Sequence, residues 1–178
     1  MNTIVFVLAA ILLSIERLTY VWAWRRSEQF IAVCRRIGSG IDPIDALEGL
    51  FRLFKVLQLA VFVGWSMWWD GGGLTVHGTD ALPLAVASAL FVAGQILNFA
   101  VFKRLGREGV FYGVRFGHLV PWCNDFPFTI LRHPQYVGAV LSIWGFFVLL
   151  RYPQPDWMVL PLLETVYYWI GARLESDA

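Results

Sequence analysis

Charge is scarce in this chain: Asp, Glu, Lys and Arg make up 15% of its 178 residues, whereas an ordinary soluble domain carries about 25%. Cysteine is scarcer still. Cys34 and Cys123 are the only two, so a disulfide framework is excluded. There is no CxxC, no HExxH and no paired-carboxylate spacing, and the three histidines are scattered, so no metal site is expected. A Walker loop and a GxGxxG fingerprint after a strand are missing as well. The net charge of +1 gives no footprint for a nucleic-acid partner, and any electrostatic role must come from how charge is distributed. What is abundant is apolar surface, with 58% hydrophobic and 16% aromatic residues. The expected class is an all-α, polytopic integral membrane protein.

Apolar runs long enough to cross about 30 Å of hydrocarbon are expected near residues 3–24, 56–69 and 81–102. A shorter pair follows at 137–150 and 157–170. RYPQPD joins that pair, and its prolines end one helix and start the next, so the two read as a hairpin. No basic residue precedes the first run, so it is expected to be a span and not a cleaved leader. Positive charge then sets the orientation. Arg25, Arg26, Arg35, Arg36, Arg52 and Lys55 follow the first run, Lys103, Arg104, Arg107, Arg115 and Arg132 follow the third, and Arg173 follows the last. The loop from Asp70 to Asp80 has no Lys or Arg. The expectation is about five segments with the N-terminus outside and the C-terminus cytoplasmic, in a bacterial inner membrane or endoplasmic reticulum. Trp22, Trp24, Trp68, Trp69 and Trp157 at the span ends suit an interfacial aromatic belt.

Polar chemistry gathers on the basic side. Leu105 to Gly117 reads LGREGVFYGVRFG, and Gly109, Gly113 and Gly117 recur every fourth residue, which on a helix would put them on one face. Two readings stay open: close helix packing through small residues, or a backbone that must come near a ligand. VPWCNDFPFTILRHPQYVG then runs into an apolar helix. Pro134 suits its first turn and leaves Arg132 and His133 at its mouth, where free N–H donors favour a carboxylate or phosphate. Tyr136 and Gly138 follow within a turn, and Arg173 and Glu175 return to the same side. Glu16 and Glu164 are carboxylates inside predicted spans. Each is either functional or turned into the bundle and paired with Arg17 or a hydroxyl. His77, in GGGLTVHGTD, reads as a simple turn residue, and His118 is near the glycine series in sequence only.

LGREGVFYGVRFG, FPFTIL and PQYVG, in that order and spacing, resemble the membrane-embedded phosphatidylethanolamine N-methyltransferases. The likeness covers most of the chain from about Ala81 onward, and ERLTYVWAWRRSE is similar to that family's exit from its first apolar segment. RHPQYVG is also similar to the RHPxYxG signature of the isoprenylcysteine carboxyl methyltransferases, a related group with the same C-terminal module. The resemblance implies S-adenosylmethionine as methyl donor at the cytoplasmic face, with no metal. Carried over position by position it implicates His133, Pro134, Tyr136 and Gly138, with Glu175 as the C-terminal acid. The family's GxG pair falls on Val92, Ala93 and Gly94, so Gly94 stands for the second glycine, and its paired glutamates fall on Glu175 and Ser176. It also implies a division into 1–80, with the first spans and a basic loop, and a methyltransferase module at 81–178.

The implied reaction is methyl transfer to the headgroup amine of a membrane lipid, phosphatidylethanolamine or its mono- or dimethyl form. An ammonium must lose a proton before it attacks, and His133 and Glu164 are the candidates to take it. Arg107, Arg115 and Arg132 are placed to meet the lipid phosphate, or else are ordinary cytoplasmic-side charge. Two alternatives remain open. One is carboxyl methylation of a prenylated cysteine or another small hydrophobic acceptor, as RHPQYVG suggests. The other is a non-catalytic membrane scaffold that keeps the fold without the cofactor.

Overall fold

The computed structural model describes residues 2–38, 40–120 and 123–176, so Pro121 and Trp122 of the VPWCND stretch lie outside the described residues. Among these residues the chain is helical, without strands: α1 (Thr3–Arg25), α2 (Ser27–Ile37), α3 (Pro43–Trp69), α4 (Ala81–Val110), a 3₁₀ turn (Gly113–Phe116), α5 (Pro134–Arg151) and α6 (Val159–Ser176). Local chemistry sets several of these boundaries. The Asn2 side chain accepts from the Ile4 N–H at 3.1 Å and caps α1. Asp42 accepts from the Ile44 N–H at 2.7 Å, and Pro43 presets the first turn of α3. That cap explains why α3 begins well ahead of the apolar run expected from Val56; Glu48 and Arg52, one turn apart, pair along its exposed start.

α1, α4 with the turn that continues it to Phe116, and α5 are the helices among the described residues long and apolar enough to cross a bilayer. Charged side chains and indoles dilute the apolar runs of α3 and α6. Along α1 the residues Ala9, Leu13, Glu16, Arg17, Tyr20 and Ala23 face inward at three- and four-residue spacing. Leu18, Phe99 and Leu162 are exposed, as a lipid-facing surface requires. α4 and α5 pack most closely. A Cβ on Gly94 would lie 2.4 Å from Ser142 Oγ and 2.5 Å from the Gly138 carbonyl, and one on Gly145 would lie 2.8 Å from the Ala87 carbonyl. Lipid gives apolar helices little reason to associate, so small residues that let backbones approach carry this contact.

Two apolar clusters stack along the bundle. Leu13, Phe62, Trp65, Phe147 and Leu160 belong to one. Tyr20, Phe30, Ile44, Leu47, Phe54 and Phe111 belong to the other, at the basic end. Glu16, Arg17, Lys55, Gln58 and Glu164 interact with one another as a polar layer within this packing.

Three sequence expectations change. The basic segment after the first span is not a plain loop, because Ser27–Ile37 forms α2, with Phe30 and Cys34 turned in and Arg35 and Arg36 turned out. The glycine series does not share one helix. Gly106 (φ 63°) interrupts α4, and Gly117 (φ 90°) follows the 3₁₀ turn. Glycine holds a positive φ at little cost, and here that freedom turns the chain. His77 is not a simple turn residue either. Its Nε2 lies 3.0 Å from Asp70 Oδ1 and its Nδ1 3.2 Å from Gln154 Nε2.

Candidate active site

The basic end of the bundle encloses a cavity of about 610 Å³, within the range of about 300–1,000 Å³ usual for small-molecule sites. Its walls come from the C-terminal part of α1, the N-terminal half of α3, the C-terminal part of α4, the start of α5 and the end of α6. These are the segments next to the basic stretches, so helix direction alone brings together residues far apart in sequence.

The most organised feature of the wall is the Glu175 carboxylate. Tyr136 and Tyr112 both donate their hydroxyls to Glu175 Oε1, at 2.5 and 2.7 Å. The α1 terminus holds the same turn of α6: Trp24 Nε1 donates to the Glu175 carbonyl at 2.9 Å, and Arg25 Nε donates to the Leu174 carbonyl at 2.9 Å. Tyr112 sits at φ 59° and ψ 27°, a left-handed conformation unusual for a bulky residue.

His133 occupies the position just before α5, with Pro134 in the first turn. Its ring stacks on Tyr136 at 5.9 Å between centroids and 16° between planes. Burial first, and the Arg132 charge second, push the His133 imidazole below its ordinary pKa and so favour its neutral form.

The structure brings some of the predicted residues together and separates others. Arg132, His133, Pro134, Tyr136 and Glu175 all line the cavity. Gly94 and Gly138 sit at the α4–α5 contact, each against the other's backbone carbonyl. Glu164, 1% exposed, lies behind the wall and accepts from Gln58 Nε2 at 2.8 Å. Arg107 pairs with Asp45 and Glu48 and so ties α4 to α3, while the Arg115 guanidinium lies over the Trp24 ring at 4.1 Å. His118 lies 3.7 Å from Glu108.

Sequence reasoning passed over Arg17, Tyr20, Lys55, Tyr112 and Tyr168, all of which line the cavity. The charged pair Glu16–Arg17 inside an apolar run was the signal for the first of these. Tyr112 lay in plain view within the glycine series, but only its left-handed turn aims the hydroxyl at Glu175.

A helical bundle with apolar helices long enough to cross a bilayer and, at one end, a largely apolar cavity set with a few polar groups defines a membrane-embedded protein with a small-molecule-sized site. Comparison with known proteins makes the family specific. Residues 82–177 match the phospholipid methyltransferase family. A phosphatidyl-N-methylethanolamine N-methyltransferase of Arabidopsis thaliana is 34% identical over 125 residues, covering 70% of this chain and 67% of that protein. A protein of the same name from Saccharomyces cerevisiae is 33% identical over 89 residues, covering 49% of this chain and 42% of that protein. Phosphatidylethanolamine N-methyltransferase B of Dictyostelium discoideum is 24% identical over 124 residues, covering 69% and 60%. No solved structure matches the chain. The chain belongs to the phospholipid methyltransferase family, and the family implies S-adenosylmethionine as methyl donor.

Proposed function

We propose that this protein methylates the headgroup amine of phosphatidylethanolamine, or of its mono- and dimethyl forms, at the cytoplasmic face of a membrane. The observation that carries the reading is the Glu175 carboxylate, clasped by Tyr112 and Tyr136 on the wall of a cavity that His133 also lines. S-adenosylmethionine supplies the methyl group as an electrophilic sulfonium when bound. A fixed carboxylate in a partly dry cavity suits a cationic ligand of that kind, and the volume is sufficient for donor and headgroup together.

In this reading Glu175, with Tyr136 and the α5 start at His133 and Pro134, holds the donor. Tyr112 and Trp24 fix Glu175. Gly94 and Gly138 let α4 and α5 close so that the α5 start stays against the cavity. His133 accepts the proton that the ammonium headgroup must lose before it attacks. Glu164 acts at one remove, by orienting Gln58 within the polar layer. Arg132 is the interfacial cation nearest the site, while Arg107 and Arg115 hold helices in place. Holding donor and acceptor in line and near contact supplies most of the rate, up to about 7–11 kcal/mol in favourable cases.

The supporting topology has five segments, with α3 and α6 crossing beside the three most apolar helices. The N-terminus is outside, the C-terminus is cytoplasmic, and residues 81–178 carry the methyltransferase module behind an N-terminal 1–80 part. The orientation rests on the Lys and Arg distribution.

The test is the purified protein in liposomes with methyl-labelled S-adenosylmethionine, offered phosphatidylethanolamine, its mono- and dimethyl forms and a farnesylcysteine analogue in parallel. Label in phospholipid is the expected result, and the relative rates give the preferred step. Label confined to the farnesylcysteine analogue would move the protein to carboxyl methylation. No transfer and no binding of S-adenosylhomocysteine would leave a scaffold.

A further inference from the structure

Glu175 and His133 account for one part of the cavity, and the α1 wall holds another group of polar atoms. Arg17 and Tyr20, each 8% exposed, both line the cavity. The Arg17 guanidinium donates from Nη2 to Glu16, whose Oε1 also lies 3.0 Å from Lys55 Nζ. It is sandwiched by aromatic rings, 4.0 Å from the Tyr168 centroid and 5.1 Å from that of Tyr20. Yet Arg17 Nε and the Tyr20 hydroxyl have no hydrogen-bond partner among the described residues. Buried polar atoms are nearly always paired, and those that are not call for an explanation. One is a charged N–H and the other a neighbouring O–H, and the group that satisfies both is an oxyanion.

We propose that Arg17 and Tyr20 form an oxyanion subsite that takes the phosphodiester of the acceptor lipid, an inference that rests on the phospholipid-methylation reading above. Three observations favour a lipid phosphate. Leu18, the next residue on α1, is 66% exposed on the lipid-facing side, so a single helix separates the subsite from the bilayer. The cavity continues over Phe51, Val101 and Phe102, an apolar surface suited to the glycerol and upper acyl region. Two of the three interfacial arginines expected to meet the phosphate are engaged elsewhere, Arg107 by two carboxylates and Arg115 by the Trp24 ring, which leaves Arg132 at the cavity wall as a second cation beside the subsite. The methionyl carboxylate of the donor presents the same oxyanion chemistry, so the two sources must be separated by experiment.

Tyr20→Phe removes the hydroxyl and keeps the ring, which packs edge-on against Phe54 and Tyr112 at 5.9 and 6.2 Å. Arg17→Lys keeps the charge and removes the Nε–H. Binding to the detergent-solubilised full chain is read by anisotropy with an acyl-labelled phosphatidylethanolamine and an acyl-labelled diacylglycerol, without methyl donor, and by calorimetry with S-adenosylhomocysteine. Each variant is expected to weaken phosphatidylethanolamine binding about tenfold, with diacylglycerol and S-adenosylhomocysteine unchanged. A fall in S-adenosylhomocysteine affinity with lipid binding intact would assign the subsite to the donor's carboxylate and overturn the lipid assignment. No change in either, in the Tyr20→Phe protein that keeps its packing, would overturn the subsite itself. Because binding is read without turnover, a wild-type protein that binds the lipid but transfers no methyl would refute the methylation reading and leave the subsite standing.

Discussion

Arg151 and Arg17 are both guanidinium groups inside the bundle, at opposite ends, and they differ in what their surroundings leave over. Arg151 is 2% exposed, and all three of its nitrogens meet carboxylates: Nε and Nη2 reach Asp156 at 3.1 and 2.7 Å, and Nη1 reaches Asp70 at 2.5 Å. Trp65 Nε1 also donates to Asp156 at 2.8 Å, and His77 binds Asp70. Burial alone would raise the Asp70 carboxyl, but the hydrogen bonds from Arg151 and His77 outweigh it and hold Asp70 below its usual range. Arg17 has Glu16 as its one hydrogen-bonded carboxylate and an Nε with no partner among the described residues. A cation whose donors are all met by the protein fastens helices together. A cation left short beside a cavity has its remaining partner supplied from outside.

The sharpest way to break that comparison is at Arg151. Arg151→Met should destabilise the protein by about 3–5 kcal/mol, because it strands Asp70 and Asp156 in a buried setting; thermal unfolding in detergent reads the loss. An unchanged melting temperature would mean that the closed end is not what fastens the bundle. The open end should respond in the opposite way. Glu175→Gln keeps shape but removes the charge that Tyr112 and Tyr136 serve, and kcat/KM should fall about a hundredfold, with helicity retained by circular dichroism. Equal loss of stability in both variants would erase the distinction between the two ends.

A smaller effect is expected midway, where α4 meets α5. Gly94→Ala puts a methyl 2.4 Å from Ser142 Oγ and 2.5 Å from the Gly138 carbonyl. The helices must part, at about 1–3 kcal/mol. If Gly94 acts through packing, that loss appears in thermal unfolding with or without S-adenosylhomocysteine, whereas a glycine that touches the donor would show its defect in donor affinity.

Much of the fold was legible because it rests on local signals. Apolar runs, the Pro134 start of α5 and the proline-rich turn before α6 all act within a few residues, and the structure follows them. The glycine series stayed open because four-residue spacing fits a helix as well as a sequence of turns, and the positive φ at Gly106 and Gly117 belongs to turns. At the site, His133, Tyr136 and Glu175 could be named from motif and topology. Arg17 carried a signal, a charge inside an apolar run, but Tyr20 and Tyr112 carried none, since they meet the others only through long-range packing of α1 and the 3₁₀ turn against α5 and α6. The network around Arg151 was hidden for the same reason: His77 and Asp156 are far apart in sequence and are linked through Asp70, Arg151 and Gln154.

The finest test concerns His133, whose low pKa has two causes of unequal size. Burial is the larger, and the Arg132 charge adds to it. A base must be neutral to accept a proton, so kcat/KM should rise with pH and level off, and the acid limb due to His133 should lie below the ordinary histidine value of about 6.5. Arg132→Gln removes the smaller cause. The His133 titration, followed by NMR in micelles, should therefore move upward yet stay below that ordinary value, since burial remains. The limb of kcat/KM should move with it. A His133 that titrates at the ordinary value in the wild type would show that water reaches the imidazole freely, and a limb that stays fixed while the NMR titration moves would give the proton to another group. Both results would carry the open end away from the dry, ligand-ready cavity that sets it apart from the sealed network around Arg151.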